Sequence, residues 1–519
     1  MATDSDREVR EGLSSITRGT LFLLFATLGF VVLNFVSRVV VVRSILPGDF
    51  SAFSLGLSLA GLLSAFGTLG LTNAVARGIP HAASDAERRT IVRSTFAIGS
   101  VAAVASSALL WVFAGPIGRA LGQPGLTLAL EFFPVAVAAS IIGSLVASIF
   151  QGFEDVTPNA LFLQLVNPGL FVVFLGIAIV VPPSGIDYRE GLATYALANV
   201  VTLALILVYA GRQLPRRLPR GPLAPEALGP LLRFAAPLFV VGIMGSITAS
   251  GDTILLGAYH FSETGTYSAS LTLARLLQIG IGAAGYIFLP VATKFLRQND
   301  SRSIQLTYAT VTKWMTLVSL PLFLVFFFFP SPSLGLVYGP RYVSVVEPLQ
   351  LAVLGAFLTT ILGPSTMLQV AFGQTRLLMY NSIAAGVVDV GLALLLVPGL
   401  GYVGAAVAWA VANSLFTGLS LVELAVLSGV HPFRRHFVAP LLATALPITV
   451  VFVVTRPLVS GLGLVVLALV LAGLFVLLVL LTRSVDDGDR LLLEAVERLI
   501  GRRLSILRRL GRIGLRSTR

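Results

Sequence analysis

The chain has no cysteine, only four histidines, and few charges: of 519 residues, 12% are Asp, Glu, Lys or Arg. Without cysteine there is no disulfide, no thiolate metal site and no thiol nucleophile. His81, His260, His431 and His436 all fall in loops or at the ends of apolar segments, so none forms a mid-membrane proton relay. No glycine-rich loop ending in Lys-Ser/Thr occurs, which excludes a P-loop ATPase, and no His-Glu-x-x-His pair occurs. No residue cluster calls for a metal or a cofactor. The first 18 residues, "MATDSDREVREGLSSITR", lack the form of a cleaved signal peptide.

What the chain has is apolar length. Hydrophobic residues make up 56% of it and mean hydropathy is +0.92. Apolar runs recur at the roughly 20 residues that a hydrocarbon core of about 30 Å asks of a helix. The period is helical rather than alternating, which disfavours a β-barrel. The expected fold is an all-α polytopic membrane protein with about fourteen spans, near 19–42, 52–75, 92–114, 127–150, 158–181, 191–211, 232–258, 264–290, 308–330, 348–371, 376–397, 402–427, 438–456 and 461–482. Most arginines fall in segments on the side of the N-terminus. Arg43, Arg119, Arg189, Arg341 and Arg456 fall on the other side, and Arg38 and Arg275 fall inside spans. That asymmetry places both termini in the cytoplasm of a cell-membrane protein. The net charge of +12 is assigned to these loops, and no nucleic-acid partner is expected.

The chain repeats itself. "GIDYREGLATYALAN" (185–199) is echoed by "GLGYVGAAVAWAVAN" (399–413), with Tyr188 and Tyr402, and Asn199 and Asn413, each 214 residues apart. "IIGSLVASIFQG" (141–152) is echoed by "ILGPSTMLQVAFG" (361–373). Two six-helix lobes with the same topology follow, 19–211 and 232–427, related by an axis along the membrane normal, which is a transporter architecture. The cytoplasmic segment 1–18, the Pro- and Arg-rich linker 212–231, two extra spans in 438–482 and a basic amphipathic tail, 483–519, complete the division. Asn199 and Asn413 either glue helices together or line a cavity.

Charged and polar residues inside spans are the candidate site. Span two carries a weakly polar stripe: Ser51, Ser54, Ser58, Gly61, Ala65, Thr68 and Thr72. Span one places Thr20, Thr27, Asn34 and Arg38 on one face. Asp252, Arg275 and Asp389 stand in apolar stretches despite a cost of at least ~2.5–3.5 kcal/mol per ionised group. Arg38 either snorkels outward or faces the interior. Arg275, about ten residues into its span, either binds a ligand or pairs with Asp252. Glu423 reads as lying at headgroup level.

"NFVSRVVVVRSILPGDFSAFSL" (34–55) resembles the first hairpin of polysaccharide-transporter flippases, with an arginine before a short turn and an aromatic residue. "LLRFAAPLFVVGIMGSITASGDTILLGAYHFSETGTYSAS" (231–270), "FLPVATK" (288–294) and "AFGQTR" (371–376) are similar to their later spans. The resemblance covers about residues 19–427 and points to the polysaccharide branch of the multidrug/oligosaccharidyl-lipid/polysaccharide exporter superfamily. It implies alternating access and a cationic cavity that takes the phosphate or pyrophosphate of a polyprenyl-linked glycan. It carries over to Arg38 and Asp252 only. Asn34 and Arg275 join Arg38 as candidate substrate contacts on position alone. A non-enzymatic, monomeric flippase is expected, with glycosyltransferases as possible neighbours and anionic headgroups under the tail. The alternatives are a cation-coupled multidrug exporter and a membrane glycan polymerase or ligase.

Overall fold

The computed structural model describes residues 4–181, 186–218, 221–343 and 346–433, with isolated positions between 449 and 473. The expected spans 438–456 and 461–482 and the tail 483–519 lie outside the continuously described residues. Regular structure among the described residues is helical: α1 (Asp4–Ser44), α2 (Pro47–Thr68), α3 (Leu71–His81), α4 (Asp85–Ala120), α5 (Pro124–Gly152), a π-helical segment (Pro158–Val166), α6 (Asn167–Val180), α7 (Tyr188–Arg217), α8 (Leu228–Tyr259), α9 (Phe261–Leu276), α10 (Ile279–Arg297), α11 (Ser301–Phe328), α12 (Pro330–Tyr338), α13 (Glu347–Ile361), α14 (Ser365–Ala371), α15 (Thr375–Leu400) and α16 (Tyr402–Ser428), with short 3₁₀ turns between some of them.

Eleven of these stretches are long and apolar enough to cross a membrane, so the chain is a multi-pass membrane protein. They coincide with expected spans one to seven and nine to twelve. Expected span eight is instead two helices, α9 and α10, separated by Leu277 and Gln278. The polar start is helical as well: α1 begins at Asp4 and runs without interruption into the first apolar stretch, Phe25–Ser44.

Helix ends follow local chemistry. Ser84 caps α4 by accepting from the Glu87 amide, while the Glu87 carboxylate accepts from Ala83 N–H at 2.9 Å. Asp187 and Glu190 form a capping box on α7. Asp300 caps α11 by accepting from the Ser303 amide and hydroxyl, which holds its carboxyl below the usual Asp value.

The chain divides into two compact units. One is Phe25–Ala269 with Gly386–Ala408; the other includes Ser270–Ala385 and the remainder of α16 from Trp409. In the first, α5 is central, packed against α2, α3, α4 and α7. Its best apolar window is 67% buried, against 22% for the peripheral α4. α8 packs on α2 and α3 in the same unit. Gly70 makes that approach possible. It sits at the α2–α3 kink with φ 69°, and a Cβ there would lie 2.4 Å from the Ala235 carbonyl oxygen of α8. In the second unit, α11 packs against α10 and α13 around Phe288, Tyr308, Met315 and Leu368.

Candidate functional site

In the first unit, four helices bring aromatic rings beneath Arg38. Phe53 (α2) meets Phe133 (α5) edge-on at 5.6 Å and Tyr195 (α7) at 5.8 Å. Tyr195 also meets Phe133 at 5.5 Å and Phe171 (α6) at 5.1 Å, again edge-on. Such pairs contribute about 0.5–1.5 kcal/mol each beyond area burial, so the wall is rigid. The Arg38 guanidinium lies 5.7 Å from the Phe53 centroid, and the side chain is half-buried. Arg38 stands six residues before the end of α1, roughly 9 Å along the axis. The guanidinium thus lies over a ring face inside the span, where cation–π attraction strengthens as water is excluded.

The same unit carries the other polar groups of α1 and α2. Asn34 donates to the Phe30 carbonyl of its own helix at 2.8 Å. Thr27, on the same face, donates to Gln164 Oε1 at 2.9 Å, and Gln164 donates to Asn159 at 3.2 Å. Both of those partners lie in the π-helical segment, whose wider turn re-aims side chains. Ser51 and Ser54 are fully buried, and Ser54 Oγ has no hydrogen-bond partner among the described residues. Ser58 and Thr68 are half-buried, with Thr68 bonded to Ala65 of its own turn. The stripe expected to continue to Thr72 stops at Leu69–Gly70, because both residues are left-handed and Thr72 begins a new helix.

A second constellation in this unit is acidic. Asp252 (α8) and Asp389 (α15) are both completely buried and interact electrostatically. A Cβ at Gly251 would lie 3.8 Å from Asp389 Oδ2, so Asp389 abuts α8 beside Asp252. Asp252 accepts from Thr253 N–H at 2.7 Å and through its other oxygen from the Tyr267 hydroxyl. Neither oxygen of Asp389 has a hydrogen-bond partner among the described residues. Two adjacent carboxylates shielded from water hold a proton or a cation between them. Asp252 and Asp389 are 137 residues apart in the chain, and Tyr267 joins them from α9; no sequence spacing announces that trio.

The asparagine pair keeps its symmetry at atomic detail. Asn199 donates to the Tyr195 carbonyl and Asn413 to the Trp409 carbonyl, each at 2.9 Å. Asn199 also accepts from Asn167 of α6 at 3.3 Å, an interhelical contact.

Arg275 is exposed, in the last turn of α9 and two residues from the break, rather than deep in a continuous span. The break supplies the reason: the apolar run that made Arg275 look central belongs to two helices. In the second unit, Glu423 accepts from Gln369 at 2.5 Å and Asn381 at 2.8 Å. Lys313 of α11, 2% exposed and 5.7 Å from the Trp314 ring, is a buried cation that sequence reasoning passes over. The signal in the sequence is that only two lysines stand among 36 basic residues, and this one falls within the expected span 308–330.

A protein-family description, "Polysaccharide biosynthesis protein", matches residues 16–296. Succinoglycan biosynthesis transport protein ExoT of Rhizobium meliloti (strain 1021) is 22% identical over 330 residues, 63% of each chain; the chain therefore spans just under two thirds of that relative's length. Among solved structures, lipid II flippase MurJ in an inward closed conformation superposes with a TM-score of 0.69 at 12% identity, covering 88% of this chain and 98% of that one. An inward-facing multidrug resistance MATE family transporter superposes at 0.57 with 16% identity, covering 79% and 99%. At these identities the two structures establish a common fold.

Proposed function

Because the chain belongs to the polysaccharide biosynthesis protein family, we propose that it is a flippase that carries a polyprenyl-(pyro)phosphate-linked oligosaccharide across the cytoplasmic membrane by alternating access. The observation that carries this reading is the Arg38 guanidinium held within a span over the ring of Phe53. A guanidinium suits a phosphodiester or pyrophosphate because its planar fork donates two parallel hydrogen bonds. Arg275, exposed beside a helix break in the other unit, is a separate candidate cation for the substrate. The transport name of the succinoglycan relative and the shared fold with a lipid II flippase support the same class. On this reading the protein is a transporter rather than an enzyme, and Asp252 with Asp389 holds the coupling proton or cation.

The carboxylate pair also favours a second reading, a cation-coupled multidrug exporter of the same fold. Lipid analysis of a deletion strain separates the two. Flippase function requires polyprenyl-linked glycan to accumulate on the cytoplasmic face, and the wild-type gene to clear it. Arg38→Ala and Arg275→Ala should insert normally and fail to clear it. Arg38→Lys should restore clearance only weakly, because an ammonium cannot make the bidentate contact. Unaltered glycan lipids with raised drug sensitivity would select the exporter. Glycan lipid that reaches the outer face but is not joined would select a polymerase or ligase.

A further inference from the structure

A cavity of about 460 Å³ opens where α3 ends and α4 and α8 begin, all within the first unit. Its size is that of a small-molecule site, which runs about 300–1,000 Å³. Its wall carries charges of both signs: Arg77 and His81 from the end of α3, Glu87 from the first turn of α4, and Glu226 just before α8. Its floor is apolar, with Leu231 and Phe234.

The parts are held in place. The Arg77 guanidinium lies 4.4 Å from the Phe234 centroid, leaving its edge N–H groups for a ligand. His81 Nδ1 sits 2.8 Å from the Arg77 backbone carbonyl, which fixes the ring against its own helix. Glu87 uses one oxygen on the Ala83 amide. Glu226 is positioned by the linker, which is stapled to α4: Arg89 donates to the Pro222 carbonyl at 3.0 Å, and Ala224 N–H donates to Thr90 Oγ1 at 2.8 Å. The helices that form the cavity are the ends of three membrane-crossing stretches, so the cavity lies at one end of the membrane-crossing part of this unit.

We propose that this cavity is a binding site for the headgroup of phosphatidylethanolamine. Arg77 takes the phosphodiester, joined by His81 when its ring is protonated, because a neutral ring spends its one N–H on the Arg77 carbonyl. Glu226 and the second oxygen of Glu87 take the ammonium, whose three N–H donors each want an acceptor. Leu231 and Phe234 support the glycerol end of the lipid. An anionic headgroup without an amine meets two carboxylates and gains nothing from them. A choline headgroup carries the charge but has no N–H to donate. The assignment is independent of what the protein transports.

The test uses the full-length protein in nanodiscs of POPE:POPG and of POPC:POPG at equal POPG content. Thermal unfolding and lipid retention in native mass spectrometry are the readouts. The wild type should unfold at higher temperature in POPE:POPG and retain POPE over POPC. Glu226→Gln and Arg77→Gln should each cut POPE retention roughly tenfold, the equivalent of one charge-assisted contact. Both should abolish the difference in unfolding temperature between the two discs, and Glu226→Gln should keep the wild-type value in POPC:POPG. Equal retention of POPE and POPC overturns the proposal. So does preferential retention of POPG that Arg77→Gln removes and Glu226→Gln leaves intact, which would make this an anionic-lipid site.

Discussion

Asp389 is the residue whose chemistry is least satisfied. Among the described residues neither of its buried oxygens has a hydrogen-bond donor, whereas the adjacent Asp252 accepts from Thr253 and Tyr267. On the proposed reading, the carboxylate at 389 takes up the coupling ion. Asp389→Asn keeps shape and volume and removes the acid. The expected outcome is normal membrane abundance, with transport that no longer follows an imposed Na⁺ or H⁺ gradient. Asp252→Asn should lower abundance as well, because its carboxylate also anchors Thr253 and Tyr267. Transport by Asp389→Asn that still tracks the gradient would remove the coupling role. At this scale the sequence is partly legible. A charge in an apolar stretch stands out, as Arg38 and Asp252 do. The partner does not, because Tyr267 and Phe53 look like any aromatic residue on an apolar helix.

At the scale of elements, kinks carry the information that periodicity misses. Span two is two helices because Leu69 and Gly70 are both left-handed. Gly70→Ala would combine a backbone penalty of about 1–2 kcal/mol with a clash against the α8 backbone at Ala235 and Phe239. It should lower the unfolding temperature in detergent and reduce expression. Gly61→Ala, with open space around its Cβ position, should change neither. An unaffected Gly70→Ala would mean that the α2–α8 approach is looser than the geometry describes. A break also separates the two copies of the 141–152 stretch. Gly143 to Gly152 spans nine steps inside continuous α5, whereas Gly363 to Gly373 spans ten. The extra residue sits at a break where Gly363 has φ 74° and Pro364 can donate no backbone bond.

At the scale of the whole molecule, the basic tail 483–519, outside the described residues, is proposed from its sequence pattern to lie on the membrane surface. Val496, Ile500, Leu504 and Leu507 share one helical face, and eight arginines with no acid follow from Arg498 onward. An apolar stripe with a basic flank favours lying on an anionic membrane, with each arginine adding on the order of 1 kcal/mol. Removing 486–519 should lower abundance and leave substrate choice unchanged. The isolated peptide should gain helix on anionic vesicles and release them in high salt. A peptide that stays unstructured there would point instead to docking on a cytoplasmic glycosyltransferase.

The sequence by itself determined that this is a helical membrane protein and where eleven of its apolar stretches run, because hydrocarbon thickness fixes the length and polarity of any segment that crosses it. It also exposed the twinned helices, since packing against small neighbours constrains both copies alike. Only the tertiary structure decided that Arg38 meets a wall of four rings, that Asp389 stands beside Asp252, and that Arg275 lies at a break rather than in mid-span. The physical reason is distance along the chain. Burial cost is a property of one residue and its immediate neighbours, and sequence records it. A site is a meeting of side chains from different helices, as with Asp252 and Asp389 from α8 and α15, and only the packing of their backbones brings them together.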